Sequence, residues 1–191
     1  MDAPDRSPLH FAQKVRGAFS FLVDEGFTEI EARPTLVRYR NGDGDVEVDI
    51  YHGRQSYEVG GGVTIFGLRY AMSEIMRASD PDMAKEYRNA VATTPEGVAA
   101  GLKELSALMQ RYGSAALLGD PRFFSVLEEG RRQWAQEFAL DVLVGQLRPQ
   151  AEEAFRRGDY SMAAELYGRI RERLSPAEAK KLALAEERCR V

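Results

Sequence analysis

Residues 59 to 63 read Val-Gly-Gly-Gly-Val, and glycine-rich stretches of this kind include the loops that bind phosphate groups. Such a loop needs the pattern GxxxxGK[ST] before a helix, so that backbone amides and a lysine meet the phosphates. Here no lysine follows, and Val63 to Ile65 continue a strand pattern. The dinucleotide-binding pattern fails as well, because Ile65 stands where its third glycine belongs. We therefore interpret the glycines as part of a closely packed strand, and we expect no cofactor.

Histidine and carboxylate residues are the other candidates for catalysis or metal binding. The chain has 2 histidines, His10 and His52, and a single cysteine, Cys189, with no HxxxH or HExxH spacing. The turn from Asn41 to Asp49 is rich in oxygen ligands, but Val46 and His52 occupy the positions where a calcium-binding EF-hand loop needs glycine and glutamate. We expect a plain turn and no metal site. We interpret His52 as a structural histidine at a strand end.

The amino-acid composition is typical of a globular protein. In 191 residues, 44% are hydrophobic and 29% charged, and 26 basic against 30 acidic residues leave a net charge of -4. This balance disfavours binding of nucleic acid over a broad surface. No apolar run approaches the roughly 18 residues that a membrane span needs, and the N-terminus has no signal-peptide pattern. We therefore expect no nucleic-acid or membrane partner and a cytoplasmic location.

Helix starts are marked by a capping side chain followed by proline at five places in the chain. With the spacing of apolar residues, these signals predict helices over residues 8–25, 70–78, 81–90, 95–112 and 121–148, with Pro149 breaking or kinking the last. In that last helix, the large apolar residues that recur every three or four positions are expected to face inward: Phe123, Leu127, Trp134, Phe138 and Val142.

Between the first two helices the apolar residues alternate, which predicts strands over residues 27–32, 35–40, 46–52 and 56–65. Keeping apolar residues on one face of the sheet sets Tyr39 against Val48 and Arg40 against Glu47. The same pairing sets Val37 against Ile50 and Arg38 against Asp49, which makes Arg38 the expected ion-pair partner of Asp49.

The same requirement applied to the second hairpin sets Ile50 against Val59 and Tyr51 against Glu58. Gly61 then lies on the core face, where it allows the first helix or an aromatic such as Tyr39 to approach closely. Gly60 and Gly62 are expected to leave the opposite face bare.

These elements predict an α+β protein: an N-terminal helix on a three- or four-stranded antiparallel meander, followed by an all-helical C-terminal half. We predict a helix-plus-sheet domain over residues 1–92 and a helical region over 93–191, with one continuous domain as the alternative.

Residues 151–176 contain a Gly-Asp-Tyr turn at 158–160, followed by Ala163, Tyr167 and Pro176. This stretch resembles the second half of a tetratricopeptide repeat, in which such a turn joins two antiparallel helices. The resemblance covers about one repeat, and the first helix lacks the expected tryptophan and Leu-Gly pair. A helical hairpin docked on the preceding helix is therefore favoured over a repeat-type peptide groove. The N-terminal part is similar in outline to small bacterial immunity proteins and to effector chaperones of secretion systems.

The favoured function is non-catalytic: a cytoplasmic bacterial protein that binds another protein, in a toxin-neutralising or chaperone-like role. Its expected contact surface is the outer sheet face, with Tyr51 as the anchor. The residues assigned to it are Arg38, Arg40, Glu47, Asp49, Tyr51, Glu58, Gly60 and Gly62. One alternative is a small hydrolase or small-ligand binder with a cleft near His52, in which His52 is a general base partnered by Ser56 or Asp49. Another is a homo-oligomeric scaffold, such as a homodimer through the sheet face or a strand edge.

Overall fold

A computed structural model describes residues 6–189 of the chain, and it shows an α+β fold. The described strands are β1 (Thr28–Arg33), β2 (Leu36–Arg40), β3 (Val46–His52), β4 (Glu58–Ile65), β5 (Leu68–Ala71) and β6 (Ala90–Val91). The described α-helices are α1 (Phe11–Ala18), α2 (Ser20–Asp24), α3 (Met72–Ser79), α4 (Pro81–Glu86), α5 (Pro95–Tyr112), α6 (Ser114–Leu117), α7 (Pro121–Arg157), α8 (Tyr160–Arg169) and α9 (Pro176–Arg188). Short 3-10 turns precede α1 and α9.

The sheet is antiparallel, with strand order β1-β2-β3-β4-β5, and β6 pairs with the first residues of β4. The sequence predicted the first four strands but placed β5 and β6 in helical regions. β5 follows β4 through a tight turn in which Phe66 and Gly67 both have positive φ, at 49° and 77°. Phenylalanine is unusual in such a turn, so the sequence carried no hairpin signal there.

The predicted register of β2 and β3 is confirmed, because Tyr39 pairs with Val48 and Arg38 pairs with Asp49. The predicted register of β3 and β4 is wrong by two residues: Ile50 lies opposite Gly61. The cause is the connecting loop, in which Tyr57 has a φ of 58° and β4 begins only at Glu58. A shift by two residues keeps each side chain of β4 on the same face of the sheet, so the predicted assignment of these side chains to the two faces is still correct.

The core of this part lies between one face of the sheet and the helices α1, α3 and α5. Gly61 lies on the core face, where an added Cβ would come within 2.9 Å of the Asp49 carbonyl oxygen and 3.3 Å of Leu105 Cδ2. The predicted close approach at this glycine is therefore made by α5 rather than by the first helix or Tyr39. The predicted first helix is interrupted at His10, whose φ is 49°, and again at Phe19.

The predicted break at Pro149 is wrong, because the helix continues to Arg157 with Pro149 inside it, and the alternative of a kink there stays a prediction. Beyond the proline, Ala151 and Ala154 are buried in a cluster with residues of α8 and α9. We infer that this packing offsets the hydrogen bond that proline cannot donate. The inward orientation predicted for Trp134, Phe138 and Val142 is also wrong, since their exposed fractions are 60%, 58% and 44%.

The chain divides into two compact units, with the boundary along the chain between Glu129 and Gly130. The sequence placed a boundary between residues 92 and 93. In the structure, α5 packs on the sheet, and Ser106 Oγ donates a hydrogen bond of 2.6 Å to the Ala18 carbonyl oxygen. The first unit therefore retains the helices up to the start of α7.

The second unit consists of the rest of α7 with α8 and α9. Gly158 adopts a φ of 78° and Asp159 caps α8, so the Gly-Asp-Tyr stretch is the turn between α7 and α8. The resemblance to a tetratricopeptide repeat stays a prediction. A capping box begins α9, because the Ser175 side chain accepts from the Glu178 amide and the Glu178 carboxylate accepts from the Ser175 amide. These backbone and hydroxyl bonds and Arg148 lower the pKa of Glu178 although its burial opposes the shift.

Across residues 6–189, none of the helices combines the length and apolar character needed to cross a bilayer.

Candidate functional site

The residues predicted to form a contact surface all lie on the sheet face opposite the core, here named the outer face. They come from alternate positions of β2, β3 and β4, which is why they share one side of the sheet. Their exposure differs: Arg38 and Arg40 are exposed, whereas Glu47, Tyr51 and Glu58 are half-buried. Asp49, Gly60 and Gly62 are buried. The outer face therefore includes these eight residues, but not all of them reach solvent.

Ion pairs connect the charged side chains of the outer face. Arg40 Nη2 lies 2.5 Å from Glu47 Oε1, as their opposed positions in the register predicted. Arg38 Nη1 instead lies 3.0 Å from Glu31 Oε2, because Glu31 is its direct neighbour on β1.

The predicted ion pair between Arg38 and Asp49 is therefore wrong, although the register that brings their strands together is right. Asp49 accepts two hydrogen bonds of 2.8 Å from Arg69, one from Nε and one from Nη2. Arg69 lies on β5, which the sequence did not predict. A planar guanidinium that meets both carboxylate oxygens holds the pair in a defined geometry.

Gly60 and Gly62 are not bare, because two large side chains of the outer face lie directly on them. A Cβ added at Gly60 would come within 2.5 Å of Tyr51 Cζ. A Cβ added at Gly62 would come within 2.9 Å of Arg69 Cζ and 2.5 Å of the Tyr70 carbonyl oxygen. The absence of side chains thus lets the phenol ring of Tyr51 and the guanidinium of Arg69 lie against the strand. The two side chains also meet each other, with Arg69 Cζ 5.6 Å from the centre of the Tyr51 ring.

Two residues that the sequence reasoning missed extend this arrangement beyond the sheet. Asn89 Nδ2 donates to Tyr51 Oη over 3.5 Å, and Tyr87 Oη donates to Asn89 Oδ1 over 2.8 Å. Burial raises the pKa of Tyr87 to about 12, with smaller contributions from Tyr51 and nearby carboxylates, so its hydroxyl keeps its proton to a higher pH than an ordinary tyrosine does. Tyr87 and Asn89 precede the two-residue strand β6, which is too short for a periodic signal in the sequence.

His52 lies on the core side of β3 and is 1% exposed. Its Nδ1 lies 2.9 Å from Arg6 Nη1, and its Nε2 lies 2.8 Å from the Ala92 carbonyl oxygen. Because guanidinium is only a donor, Nδ1 accepts from Arg6 and Nε2 carries the proton that bonds Ala92. The ring also stacks on Phe11 at 6.0 Å, and Arg6 lies 4.0 Å above the ring of Tyr57.

This geometry favours the structural interpretation of His52. A general base needs a free ring nitrogen within reach of a substrate proton, and both ring nitrogens of His52 already have partners. Asp49, suggested as a partner for His52 in the hydrolase alternative, lies on the other face and pairs with Arg69.

The oxygen-rich turn that begins at Asn41 uses its side chain to hold the backbone, since Asn41 Oδ1 accepts from the Val46 amide at 3.0 Å. Among residues 6–189, no three His, Cys, Asp or Glu side chains converge as a metal site would require.

Comparisons with protein-family models, with curated proteins and with solved structures found no match to this chain.

Proposed function

We propose that the protein is non-catalytic and binds another protein through the outer face of its sheet. The observation that carries this proposal is the paired placement of Tyr51 and Arg69, each of which occupies the space above a glycine of β4. Tyrosine and arginine are enriched among the residues that dominate the binding energy of interfaces. Here Asp49 and Asn89 contact these two side chains, so less conformational entropy is lost when a partner covers them.

The charged pairs around this centre suit the rim of such an interface. Arg38 with Glu31 and Arg40 with Glu47 lie along β1, β2 and β3, beside Tyr51 and Arg69. Partly exposed ion pairs of this kind contribute more to partner choice and association rate than to affinity. Both signs are present, so we expect a partner surface that also carries both, with binding that weakens as salt rises.

Within this class we propose a toxin-neutralising or chaperone-like role in a bacterial cytoplasm. Two features support it: the net charge of -4, which favours a basic partner, and the outline of a helix, an antiparallel meander and then helices. That outline is similar to small immunity proteins and effector chaperones.

Affinity capture with the full chain tests the proposal. Tagged wild-type protein is used as bait in extract of its own host at low salt, beside Tyr51→Ala, Arg69→Ala and the control Arg16→Ala. Arg16 forms an exposed ion pair with Glu29 and lies on α1, away from the outer face. We expect proteins that wild type and Arg16→Ala retain, that both outer-face variants lose, and that high salt releases.

The captured protein is then purified and its dissociation constant measured by calorimetry. We expect Tyr51→Ala to raise that constant by roughly 30-fold or more, as for other interface anchors, and Arg16→Ala to change it less than about twofold. Equal binding by wild type and both outer-face variants would show that this face is not the contact surface. Hydrolysis of a small molecule by the purified wild-type chain would instead establish the hydrolase alternative if His52→Gln abolished it.

A further inference from the structure

An exposed aromatic stripe runs along α7 in the second unit. Trp134 and Phe138 are 60% and 58% exposed, and their rings stack with centres 5.5 Å apart and planes at 18°. Val142, one turn further on, is 44% exposed. Every residue from 132 to 139 is exposed, so the stripe belongs to a stretch of helix that is open to solvent. Large apolar side chains at intervals of four residues mark a helix face that favours a partner.

The residues that flank the two aromatics give this face a symmetry. Arg131, Trp134, Phe138 and Asp141 follow one another at intervals of three, four and three residues. These are the intervals of the seam positions in a coiled coil, which all point to one side of a helix. The intervals are the same when the helix is followed from its C-terminal to its N-terminal end. In that direction Phe138 takes the place of Trp134, and Asp141 takes the place of Arg131.

We propose that a second copy of this chain packs antiparallel against α7 along this stripe. Trp134 of each copy then lies on Phe138 of the other, and Arg131 of each copy lies beside Asp141 of the other. In this two-fold arrangement each of the four contacts joins an aromatic to an aromatic or an arginine to an aspartate. A parallel arrangement would set Arg131 against Arg131 and Asp141 against Asp141, and it would lose that complementarity.

The surroundings of the stripe are compatible with close approach of a second helix. Ala135 beside Trp134 is small, and Gly145 lies one turn beyond Asp141 with nothing within 4 Å of an added Cβ. Asp141 is exposed and lies 3.8 Å from Arg173, a long contact between exposed side chains that an incoming guanidinium can replace. The stripe belongs to the second unit and contains none of the residues of the outer face.

The size of the stripe predicts a reversible dimer. Two such helical segments bury an area near or below about 1,200 Å², at the low end for specific interfaces. We therefore expect a monomer at high dilution and a dimer as the concentration rises. Because Trp134 is the only tryptophan in the chain, its fluorescence reports this contact directly.

The first experiment is sedimentation equilibrium of the full chain over a wide concentration range, with the emission maximum of Trp134 measured on the same samples. We expect both the mean mass and a blue shift of the emission to rise together with concentration. Phe138→Ala retains the tryptophan and removes its partner, and we expect it to raise the dimer dissociation constant by roughly tenfold or more. Its circular dichroism should match wild type, because Phe138 is exposed.

The second experiment exchanges the charges. Arg131→Asp places aspartate against Asp141, and Asp141→Arg places arginine against Arg131, so we expect each single variant to be monomeric where wild type is dimeric. The double variant restores opposite charges in the antiparallel arrangement, and we expect it to dimerise like wild type. A mixture of the two single variants should form a heterodimer. Arg173→Ala serves as control, since it removes the Asp141 contact within the chain and should leave the dimer intact.

Three results would overturn the proposal. A mass that stays monomeric at every concentration would remove the dimer. A dimer unaffected by Phe138→Ala and by either charge variant would place the contact on another surface, such as the outer face. A double variant that remains monomeric while wild type dimerises would exclude the antiparallel arrangement.

Discussion

The outer face of the sheet and the aromatic stripe of α7 both present aromatic side chains, but they hold them in different ways. Tyr51 lies on Gly60, meets Arg69 and accepts a hydrogen bond from Asn89, so its position depends on three strands and the segment before β6. Trp134 and Phe138 lie four residues apart on one helix and stack on each other. The first surface is built by tertiary structure and the second by helix periodicity.

This difference predicts how each surface responds to substitution. Side chains on the outer face share contacts with backbone and with one another, so changes there should alter stability as well as binding. Side chains of the stripe are exposed, so changes there should alter association and leave stability nearly unchanged.

The largest effect is expected at Gly62. Alanine there would place its Cβ 2.5 Å from the Tyr70 carbonyl oxygen, a backbone atom, and 2.9 Å from Arg69 Cζ. We expect Gly62→Ala to lower the free energy of unfolding by about 2 kcal/mol, the usual range for an added methyl group in a filled space. Urea denaturation followed by circular dichroism measures this change.

Gly168 in α8 is the matched control, because an added Cβ would have nothing within 4 Å. Gly168→Ala should raise the free energy of unfolding by roughly 0.5–1 kcal/mol through helix propensity. If both substitutions change the free energy of unfolding equally, the space above Gly62 is packed no more closely than the open helix surface at Gly168.

A smaller effect is expected from the ion pair that holds Arg69. A double-mutant cycle with Asp49→Ala and Arg69→Ala should give a coupling free energy of about 1–2 kcal/mol, because the pair is bidentate and Asp49 is largely buried. The same cycle with Asp49→Ala and Arg38→Ala should give a coupling near zero, since Arg38 pairs with Glu31. The free energies of unfolding of the single and double variants, from urea denaturation, provide both coupling free energies. Equal couplings in the two cycles would contradict the distinct partners of Asp49 and Arg38.

The smallest effect is expected at Tyr87 and depends on pH. Its folded pKa of about 12 lies above the ordinary value of 10.0, so the native state holds this proton more tightly than the unfolded chain. The resulting stability is present below pH 10 and is lost as pH rises towards 12. Tyr87→Phe should reduce that loss, at a cost of about 1 kcal/mol or less at neutral pH for the hydrogen bond to Asn89.

Tyrosinate absorbance during an alkaline titration tests the assignment of this pKa. Burial raises the pKa of Tyr87 and of Tyr167 to about 12, and it also raises the pKa of Tyr39, so these three tyrosines are expected to ionise late. Tyr87→Phe should leave a late phase smaller by one residue. A variant with an unchanged late phase would show that Tyr87 does not belong to the late-ionising tyrosines.

Local signals in the sequence predicted several elements correctly. The helix predicted over residues 95–112 has the same limits in the structure, where Thr94 caps the start of α5 and Gly113 follows its end. The β2–β3 register followed from alternating apolar residues and from opposite charges around one short turn. Each of these signals lies within a few residues of the feature that it predicts, which is why they could be read without the fold.

The errors have equally specific causes. The register of β3 and β4 depended on the length of an irregular loop in which Tyr57 adopts a positive φ that its residue type does not indicate. The ion pair of Asp49 depended on β5, a four-residue strand after an unusual turn. The pattern of α7 indicated which side chains share a face, but periodicity does not show what covers that face, and Trp134 proved to be exposed.

By itself, the sequence determined the α+β class, the starts of α4, α5 and α7, and which side of each central strand carries charge, because these depend on residue type and spacing along the chain. Only the tertiary structure decided that Tyr51 and Arg69 cover Gly60 and Gly62 of β4 and that the boundary between the two units falls within α7. Both depend on contacts between residues far apart in sequence, which are selected by packing in three dimensions.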